Sequence, residues 1–327
     1  MRQDDVDRPN PARQIRKVSE RFRRENRQHI RRFIGVQVAR VGSWFARSLP
    51  TAVRYWIADR MGALMYWLIP GYRENVRRNL AHVLGPGARV AARGPEVREV
   101  FRTSARNWSD LLVVPGRSAA TFDAEVEVPA SDIAYLDAAL AQGKGCVIIT
   151  AHLGAFDFLG HYLHSKGYKL SIVTGRTTAR IVFDAVTHLR QSNGLGLVEA
   201  TPSGVRTAIQ TVRNGECAVF AVDRDFFQNG IQVTLFGATT TLPPGAVRIA
   251  RDSFAPIVPI FSRRTDLGHK ITIHPPFSVE RTGDVHADLH GGMTKVVASL
   301  EMAISAAPDQ WVMFQSVWPS EPDDSVA

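Results

Sequence analysis

A histidine and an acidic residue lie five positions apart, where a short apolar run gives way to a helical pattern. Residues 146–149 have the length and β-branched content of a strand that is buried on both faces. His152 follows this run, and Asp157 falls in the first turn of a predicted helix that ends near Gly167. Because a neutral imidazole beside a carboxylate can take a proton from a hydroxyl, the pair predicts a general base.

The backbone between these two residues has to bend if their side chains are to meet. Within one helix, side chains five positions apart point roughly 140° apart. His152 must therefore lie in a loop before the helix, and Gly154 supplies the backbone freedom for that bend. We expect Asp157 to orient the imidazole across this turn.

A second polar cluster follows another apolar run. Asp223, Arg224 and Asp225 come directly after residues 217–222, which read as a strand. Ligand sites in parallel sheets collect at the carboxyl ends of the strands, so we expect this cluster at the same edge as His152. The alternative is an ion-paired loop. The candidate substrate or oxyanion residues are Asp223, Arg224, Asp225, Gly154 and Arg176, the last of which could also be simply solvated or ion-paired.

Strand and helix patterns alternate through the middle of the chain. Strands are predicted at 170–174, 195–200 and 217–222, with helices at 179–191 and 203–213, the latter capped by Ser203. This alternation predicts an α/β fold in which helices flank a mostly parallel central sheet.

The positive charge is concentrated near the start of the chain. The formal net charge is +9, and residues 13–32 hold nine basic residues against two acidic ones, a net +7. Such a run could bind nucleic acid or anionic lipid. Apolar and aromatic residues recur at helical spacing through residues 14–46 and 51–69, which favours a bilayer surface over nucleic acid. The uncharged stretch 61–71 is well short of the roughly 18 to 20 residues that span a bilayer.

The two cysteines and the remaining histidines have simpler interpretations. Cys146 and Cys217 lie in apolar runs, so we expect buried thiols and neither a disulfide framework nor a cysteine nucleophile. Asp157, His161 and His164 share one predicted helix face and could form a metal triad, but a fourth ligand is not apparent. We expect a polar groove wall there, and no metal or cofactor.

Several short motifs occur in a fixed order along the chain. Those motifs are His152-Leu-Gly-Ala-Phe-Asp157, the Arg73, Val76, Asn79 and Leu80 of an R-x-x-V-x-x-N-L segment, the Asp223-Arg224-Asp225 triplet, Leu242-Pro-Pro-Gly-Ala246 and Pro308-Asp-Gln-Trp311. The first of them resembles the HX4D/E motif of the lysophospholipid acyltransferase superfamily. Together they resemble the branch of that superfamily that contains the bacterial lipid A biosynthesis and phosphatidylinositol mannoside acyltransferases. Asp157 in place of glutamate, and D-R-D in place of D-Q-D, favour the mannoside type. The arginine and asparagine of the segment at 73–80 are most simply surface or capping groups.

The resemblance implies a membrane-associated O-acyltransferase with His152 and Asp157 as its catalytic pair. An acyl chain would pass from acyl-CoA or acyl carrier protein, as co-substrate, to a hydroxyl of a glycolipid at the cytoplasmic face of the plasma membrane. The expected partners are the anionic inner leaflet, the glycolipid acceptor and the acyl donor, without nucleic acid. The predicted divisions are a disordered tail at 1–12, basic amphipathic helices at 13–70, the α/β catalytic domain at 71–318 and a tail at 319–327.

Three alternatives differ from this interpretation in their sequence signatures. A lysophospholipid or glycerol-phosphate acyltransferase usually has an F-x-E-G-x-x-R segment where this chain has Asp223-Arg-Asp-Phe. A serine hydrolase would carry G-x-S-x-G after a strand, and this chain has none. A non-catalytic membrane adaptor would need only the basic helices and the fold.

Overall fold

The computed structural model describes residues 33–85, 94–175, 180–266 and 268–319. The predicted tail 1–12, the basic run 13–32, Arg176 and residues 320–327 lie outside the described residues. What the sequence predicts for these segments stays a prediction.

A seven-stranded sheet forms the centre of the protein. Its strand order is β1-β9-β8-β2-β5-β3-β4. The five strands from β8 to β4 are parallel, whereas β9 pairs antiparallel with β8 and β1 runs parallel to β9. The mostly parallel sheet predicted from strand and helix alternation is confirmed. The strands are β1 (Val126–Glu127), β2 (Cys146–Thr150), β3 (Leu170–Thr174), β4 (Gly196–Glu199), β5 (Cys217–Ala221), β8 (Ile257–Thr265) and β9 (Gly268–Ile273), with a separate hairpin of β6 (Ile231–Leu235) and β7 (Ala238–Leu242).

Helices cover both faces of this sheet. Successive residues of β2 alternate between two apolar cores, because side chains of a strand point to opposite faces. Val147 and Ile149 pack with α9, α10 and α11, while Cys146 and Ile148 pack with α5, α6 and α7. The helices are α1 (residues 33–48), α2 (Thr51–Leu68), α3 (Pro70–Leu84), α4 (Pro95–Val113), α5 (Ala119–Glu125), α6 (Ala130–Leu140), α7 (Phe156–Ser165), α8 (Arg180–Gln191), α9 (Pro202–Arg213), α10 (Gly245–Ser253) and α11 (Val285–Ser305), followed by a 3₁₀ turn at Pro308–Gln310.

The helices α1 and α2 have one packed face and one exposed apolar face. Arg54 of α2 forms a buried ion pair with Asp110 of α4, with 3.6 Å between Nη1 and Oδ1. Most of the exposed large apolar side chains of the described residues belong to α1 and α2, among them Trp44, Trp56 and Trp67. Within the part of the chain that the structure describes, no helix combines the length and the apolar character needed to cross a bilayer.

Two local predictions are wrong in detail. The cap of α9 is Thr201, whose hydroxyl accepts a hydrogen bond from the Gly204 amide, so Ser203 lies inside the first turn. Asn79 is neither a surface nor a capping group. It is buried, and its Nδ2 donates to the carbonyl oxygens of Met313 (3.1 Å) and Gln315 (2.7 Å), because a buried amide requires partners and the last described segment supplies them.

Candidate active site

His152 and Asp223 follow two neighbouring parallel strands. The last paired residues of β2 and β5 are Thr150 and Ala221, and each of the two polar residues comes two positions later. Parallel strands in register bring such positions to the same edge of the sheet. The prediction that His152 and the 223–225 cluster share one edge is confirmed.

The two side chains form a hydrogen-bonded pair. The His152 Nδ1 lies 2.9 Å from Asp223 Oδ1, and the His152 backbone N–H donates to Oδ2 at 2.9 Å. Trp311 Nε1 also donates to Oδ2, at 2.9 Å. Asp223 is completely buried, whereas the imidazole is 34% exposed. The carboxylate thus fixes the ring from inside the protein and leaves Nε2 as the ring nitrogen without a partner among the described residues.

Burial and charge act in opposite directions on this pair. Burial by itself lowers the pKa of His152, but the charge of Asp223 and the hydrogen bond to it outweigh burial, so the pKa is raised above its ordinary value. For Asp223, burial raises the pKa, while the His152 charge and the hydrogen bonds from His152 and Trp311 lower it, and the net direction is downward. Asp223 therefore stays ionised and stabilises the imidazolium that proton transfer creates.

Asp157 does not orient His152, and this expectation is wrong. Its Oδ1 accepts from Arg190 Nε at 2.7 Å and its Oδ2 from Arg190 Nη2 at 3.2 Å, so the carboxylate is engaged by α8. Asp157 does lie in the first turn of α7, as predicted. The imidazole points instead to the end of the adjacent strand, where a fully buried carboxylate is within hydrogen-bond reach. The Asp157–Arg190 pair fixes the start of the helix that follows the His152 loop.

Most backbone polar groups of residues 152–154, in the loop between β2 and α7, have partners. The His152 carbonyl accepts from the Val312 N–H (2.8 Å) and the Leu153 carbonyl from the Ser262 hydroxyl (3.1 Å). Gly154 donates its N–H to the Gln310 carbonyl at 3.0 Å, so this N–H is not free to stabilise an oxyanion. An oxyanion role for the neighbouring backbone N–H groups stays a prediction. The Gly154 carbonyl accepts from Asn107 Nδ2 at 2.7 Å. The loop is therefore held before any substrate binds.

Gly154 is required by conformation as well as by space. Its φ is +55°, in the left-handed region, which agrees with the predicted bend. A Cβ at this position would lie 2.5 Å from the Ser262 carbonyl oxygen and 2.6 Å from Arg263 Cα. Both contacts are with backbone atoms, so a side chain here would displace the loop.

The other two residues of the 223–225 cluster have separate roles. Asp225 accepts from the Gly230 N–H and the Thr241 hydroxyl, both at 2.9 Å, and closes the turn before the β6–β7 hairpin. Arg224 is half-buried and lies over the Phe226 ring, 5.3 Å from its centroid. Of the predicted oxyanion or substrate residues within the described ranges, Arg224 is the one with a side-chain donor left for a ligand.

The helix face that could have formed a metal triad has other contacts. His161 is buried beside Phe122, and neither ring nitrogen has a hydrogen-bond partner among the described residues. Burial lowers the pKa of His161 to about 4. The expected polar groove wall is therefore wrong for His161, which packs as a neutral ring in the core.

Three residues of the site carried no clear signal in the sequence. Arg190 and Asn107 occur in ordinary amphipathic helices, and nothing in their spacing indicates that they contact residues 154–157. Trp311 stands out in the sequence only as part of the Pro308-Asp-Gln-Trp311 motif. A tryptophan directly after a proline-containing turn gives no indication that its indole bonds a carboxylate 88 positions earlier.

The buried cysteines take no part in this arrangement. Cys146 and Cys217 are paired in register on β2 and β5, and the Cys146 thiol donates to the Cys217 sulfur at 3.4 Å. The hydrogen bond and burial raise the pKa of Cys146 well above its ordinary value. The prediction that both cysteines are buried thiols is confirmed.

The site therefore combines a partly exposed imidazole, a buried ionised carboxylate behind it and a preorganised loop. Such a pair can accept a proton from a hydroxyl at Nε2 and return it to a leaving group. This chemistry requires neither a metal nor a covalent enzyme intermediate.

Comparison with known proteins agrees with this geometry. Residues 21–320 match the family described as bacterial lipid A biosynthesis acyltransferase. The chain is 27% identical over 295 residues to a phosphatidylinositol mannoside acyltransferase of Mycobacterium tuberculosis, covering 88% of this chain and 90% of that protein. A phosphatidylinositol mannoside acyltransferase of Mycolicibacterium smegmatis is 26% identical over 303 residues, 89% of this chain and 95% of its own length.

A third relative is named for lipid A biosynthesis. The chain is 26% identical over 181 residues to a lipid A biosynthesis acyltransferase of Haemophilus influenzae, covering 54% of this chain and 55% of that protein. The family match spans most of the chain and includes both His152 and Asp223. This protein is therefore an acyltransferase that belongs to the bacterial lipid A biosynthesis acyltransferase family.

Proposed function

We propose that this acyltransferase moves a fatty acyl chain from a thioester, acyl-CoA or acyl carrier protein, to a hydroxyl of a membrane glycolipid. The observation that carries the proposal is the hydrogen bond between His152 Nδ1 and Asp223 Oδ1, which leaves Nε2 at the exposed side of the ring. The relatives matched over most of their length are named for phosphatidylinositol mannosides, which favours a phosphatidylinositol mannoside-type acceptor over a lipid A-type acceptor.

The chemical step follows from the two ring nitrogens of His152. Nε2 takes the proton of the acceptor hydroxyl as its oxygen attacks the carbonyl carbon of the thioester. When the tetrahedral intermediate collapses, the carbon–sulfur bond breaks and the imidazolium returns the proton to the departing sulfur. The products are an ester and a free thiol, and base catalysis of this kind typically contributes about 10²- to 10⁴-fold.

Asp223 acts through His152 and does not contact substrate. Because the carboxylate is completely buried, it is a positioning residue that selects the Nδ1–H tautomer and stabilises the imidazolium. Asp157 and Arg190 hold the start of α7 and so fix the loop that carries the histidine. The proposed general base is thus His152, positioned by Asp223.

Direct transfer is favoured over an acyl-enzyme. Both cysteines are buried within the sheet, and the raised pKa of Cys146 disfavours a thiolate.

The exposed apolar face of α1 and α2 supports peripheral binding to a membrane. Trp44, Trp56 and Trp67 are each more than half exposed, and large exposed apolar patches commonly mark membrane or partner contacts. The basic run 13–32 precedes this surface in the chain and would favour an anionic leaflet. We place the enzyme at the cytoplasmic face of the plasma membrane, where glycolipid tails remain in the bilayer during transfer.

Purified full-length protein tests the proposal directly. Wild type, His152→Ala and the exposed-site control His286→Ala are incubated with a series of acyl-CoA donors and with one of three acceptors: phosphatidylinositol dimannoside, a lipid A precursor or lysophosphatidic acid. We expect mass spectrometry to detect an added acyl ester on the mannoside, lost in His152→Ala and retained in His286→Ala. Acylation of lysophosphatidic acid alone, or full transfer by His152→Ala, would contradict the proposal.

A further inference from the structure

A cleft lies on the side of the 223–225 turn, which follows β5. Its volume is about 390 Å³, and it is bounded by that turn, by the β7 strand and by residues 313–319. Arg224 enters the cleft directly after Asp223, and Met313 enters it two residues after Trp311. Asp223 and Trp311 are hydrogen-bonded to each other, so the cleft and the His152–Asp223 pair share two chain segments. The charge of Arg224 also acts on His152.

Among the described residues, Arg224 has no carboxylate within ion-pair distance, although the charge of Asp223 acts on it. Its guanidinium makes no hydrogen bond or ion pair with any residue that the structure describes, and its contact is the Phe226 ring. Burial is the main effect on the pKa of Arg224 and lowers it, which reflects a guanidinium partly withdrawn from water. A half-buried guanidinium loses solvation that an anion can replace.

The two neighbouring carboxylates do not satisfy this cation. Asp223 directs its oxygens to His152 and Trp311. Asp225 also lines the cleft, but its oxygens accept from backbone N–H groups of the turn and from the Thr241 hydroxyl. The donors of Arg224 therefore remain available to a ligand, whereas the carboxylates are engaged.

The walls of the cleft are fixed and mixed in character. Asn79 holds the carbonyl groups of residues 313 and 315, and the His82 ring stacks on Trp318 with centroids 4.1 Å apart. Gln228 and Gln315 supply neutral polar groups, while Met313 and Val317 supply apolar surface. A rigid cleft of this composition suits a charged headgroup that carries hydroxyl groups or an alkyl arm.

We propose that this cleft binds a phosphate ester of a substrate, with Arg224 as its cationic partner. The inference rests on the proposed acyl transfer, because the phosphate would belong to one of its two substrates. Two sources share this chemistry: the phosphates of a coenzyme A or phosphopantetheine donor, and the phosphodiester of a phosphoinositide glycolipid acceptor. A phosphate held here would anchor the substrate beside His152 while its reacting group reaches Nε2.

Binding measurements with paired probes test the proposal without requiring turnover. Isothermal titration calorimetry compares 4′-phosphopantetheine with pantetheine, and phosphoinositol dimannoside with inositol dimannoside, so that the members of each pair differ in phosphate alone. The proteins are wild type, Arg224→Gln, Arg224→Lys and the control Arg213→Gln, an exposed arginine at the end of α9 and at the opposite edge of the sheet. Circular dichroism confirms that each variant is folded.

We expect Arg224→Gln to weaken binding of one phosphate-bearing probe by about 10- to 100-fold, while its phosphate-free counterpart is unaffected. Arg224→Lys should recover part of the affinity, and Arg213→Gln should match wild type. The responding pair identifies the source as donor or acceptor. The phosphate site is overturned if wild type binds neither phosphate-bearing probe, or if Arg224→Gln weakens both members of each pair equally. It is also overturned if Arg224→Gln lowers kcat and leaves all four affinities unchanged, a result that would assign Arg224 to the oxyanion.

These outcomes are separate from those for the acyl transfer itself. If Arg224→Gln retains wild-type affinities while wild type forms an acyl ester that His152→Ala does not form, the phosphate site is wrong and the proposed function stands. If phosphate-selective binding is lost in Arg224→Gln but no acyl ester forms with any acceptor, the cleft binds phosphate and the proposed function fails.

Discussion

Replacement of Asp223 by asparagine should change the tautomer of His152. The two oxygens of Asp223 accept three hydrogen bonds: Oδ1 from His152 Nδ1, and Oδ2 from the His152 backbone N–H and from Trp311 Nε1. Asparagine has one acceptor oxygen, and placing it at the Oδ2 position satisfies two donors. The amide N–H₂ would then face Nδ1, which must become an acceptor, so the ring proton moves to Nε2. In that tautomer Nε2 cannot accept a proton from a hydroxyl.

The expected loss of kcat/KM is about 10²- to 10⁴-fold, the range that general-base catalysis contributes. This range corresponds to about 3 to 5 kcal/mol of transition-state stabilisation, at 1.36 kcal/mol for each factor of ten. The folded structure should persist because asparagine has nearly the shape of aspartate.

The pH dependence should move in a defined direction. Asp223 raises the pKa of His152 against the effect of burial, so neutralising the carboxylate leaves burial dominant and lowers that pKa. The general base must be neutral, so activity of the wild type should rise with pH through a pKa above the ordinary histidine value. In Asp223→Asn the residual activity should begin its rise at lower pH.

The assay is release of free thiol from an acyl-CoA donor, measured as kcat/KM from about pH 5 to about pH 9. Asp157→Asn is the matched variant, because it removes the same charge from the carboxylate that binds Arg190. We expect Asp157→Asn to lower the melting temperature and to leave the acid limb of the profile in place. If Asp157→Asn moves that limb and Asp223→Asn does not, the assignment of the His152 partner is wrong.

Three further predictions concern the loop, the core and the exposed face. Gly154→Ala should lower the free energy of unfolding by about 2 to 5 kcal/mol in urea titrations, since it combines a left-handed φ with a Cβ that meets backbone atoms. His161 has a pKa of about 4 in the folded protein, below the ordinary 6.5. Its contribution to stability is therefore complete above pH 6.5 and falls at lower pH as the unfolded chain takes up a proton. Between pH 7 and pH 5, the free energy of unfolding of wild type should fall by about 2 kcal/mol that His161→Phe does not lose. The double variant Trp44→Glu, Trp67→Glu should bind anionic phospholipid vesicles about 100-fold more weakly in co-sedimentation.

Each of these has a control at an exposed position. Gly71→Ala meets no atom within 4 Å and should not destabilise the protein, so an equal effect at Gly154 and Gly71 would refute the steric argument. His286→Phe should keep the pH dependence of stability seen in wild type. If His286→Phe loses that pH dependence, the role of His161 is contradicted. Met302→Glu on α11 should leave vesicle binding unchanged, and weakening equal to that of the double tryptophan variant would remove the distinction between the two surfaces.

Local patterns predicted much of the fold because they report which residues face the core. The apolar runs that became β2 and β5, the helix beginning just before Asp157 and the bend at Gly154 were all expected from periodicity and residue type. Strand–helix alternation also placed His152 and Asp223 at one edge, because the carboxyl ends of parallel strands converge there. These features depend on interactions along the chain or on general rules of sheet topology.

The partner of His152 depended on the order of strands, which the sequence does not encode locally. Asp157 is five residues away in sequence and Asp223 is 71 residues away, yet β2 and β5 are neighbours and their ends meet. Tertiary packing likewise brought Arg190 to Asp157 and Trp311 to Asp223. The sequence by itself determined that an imidazole and carboxylates would meet at one edge of a parallel sheet. Only the tertiary structure decided which carboxylate bonds the imidazole, because hydrogen bonds require atoms within about 3 Å and that proximity is set by strand neighbours and not by separation along the chain.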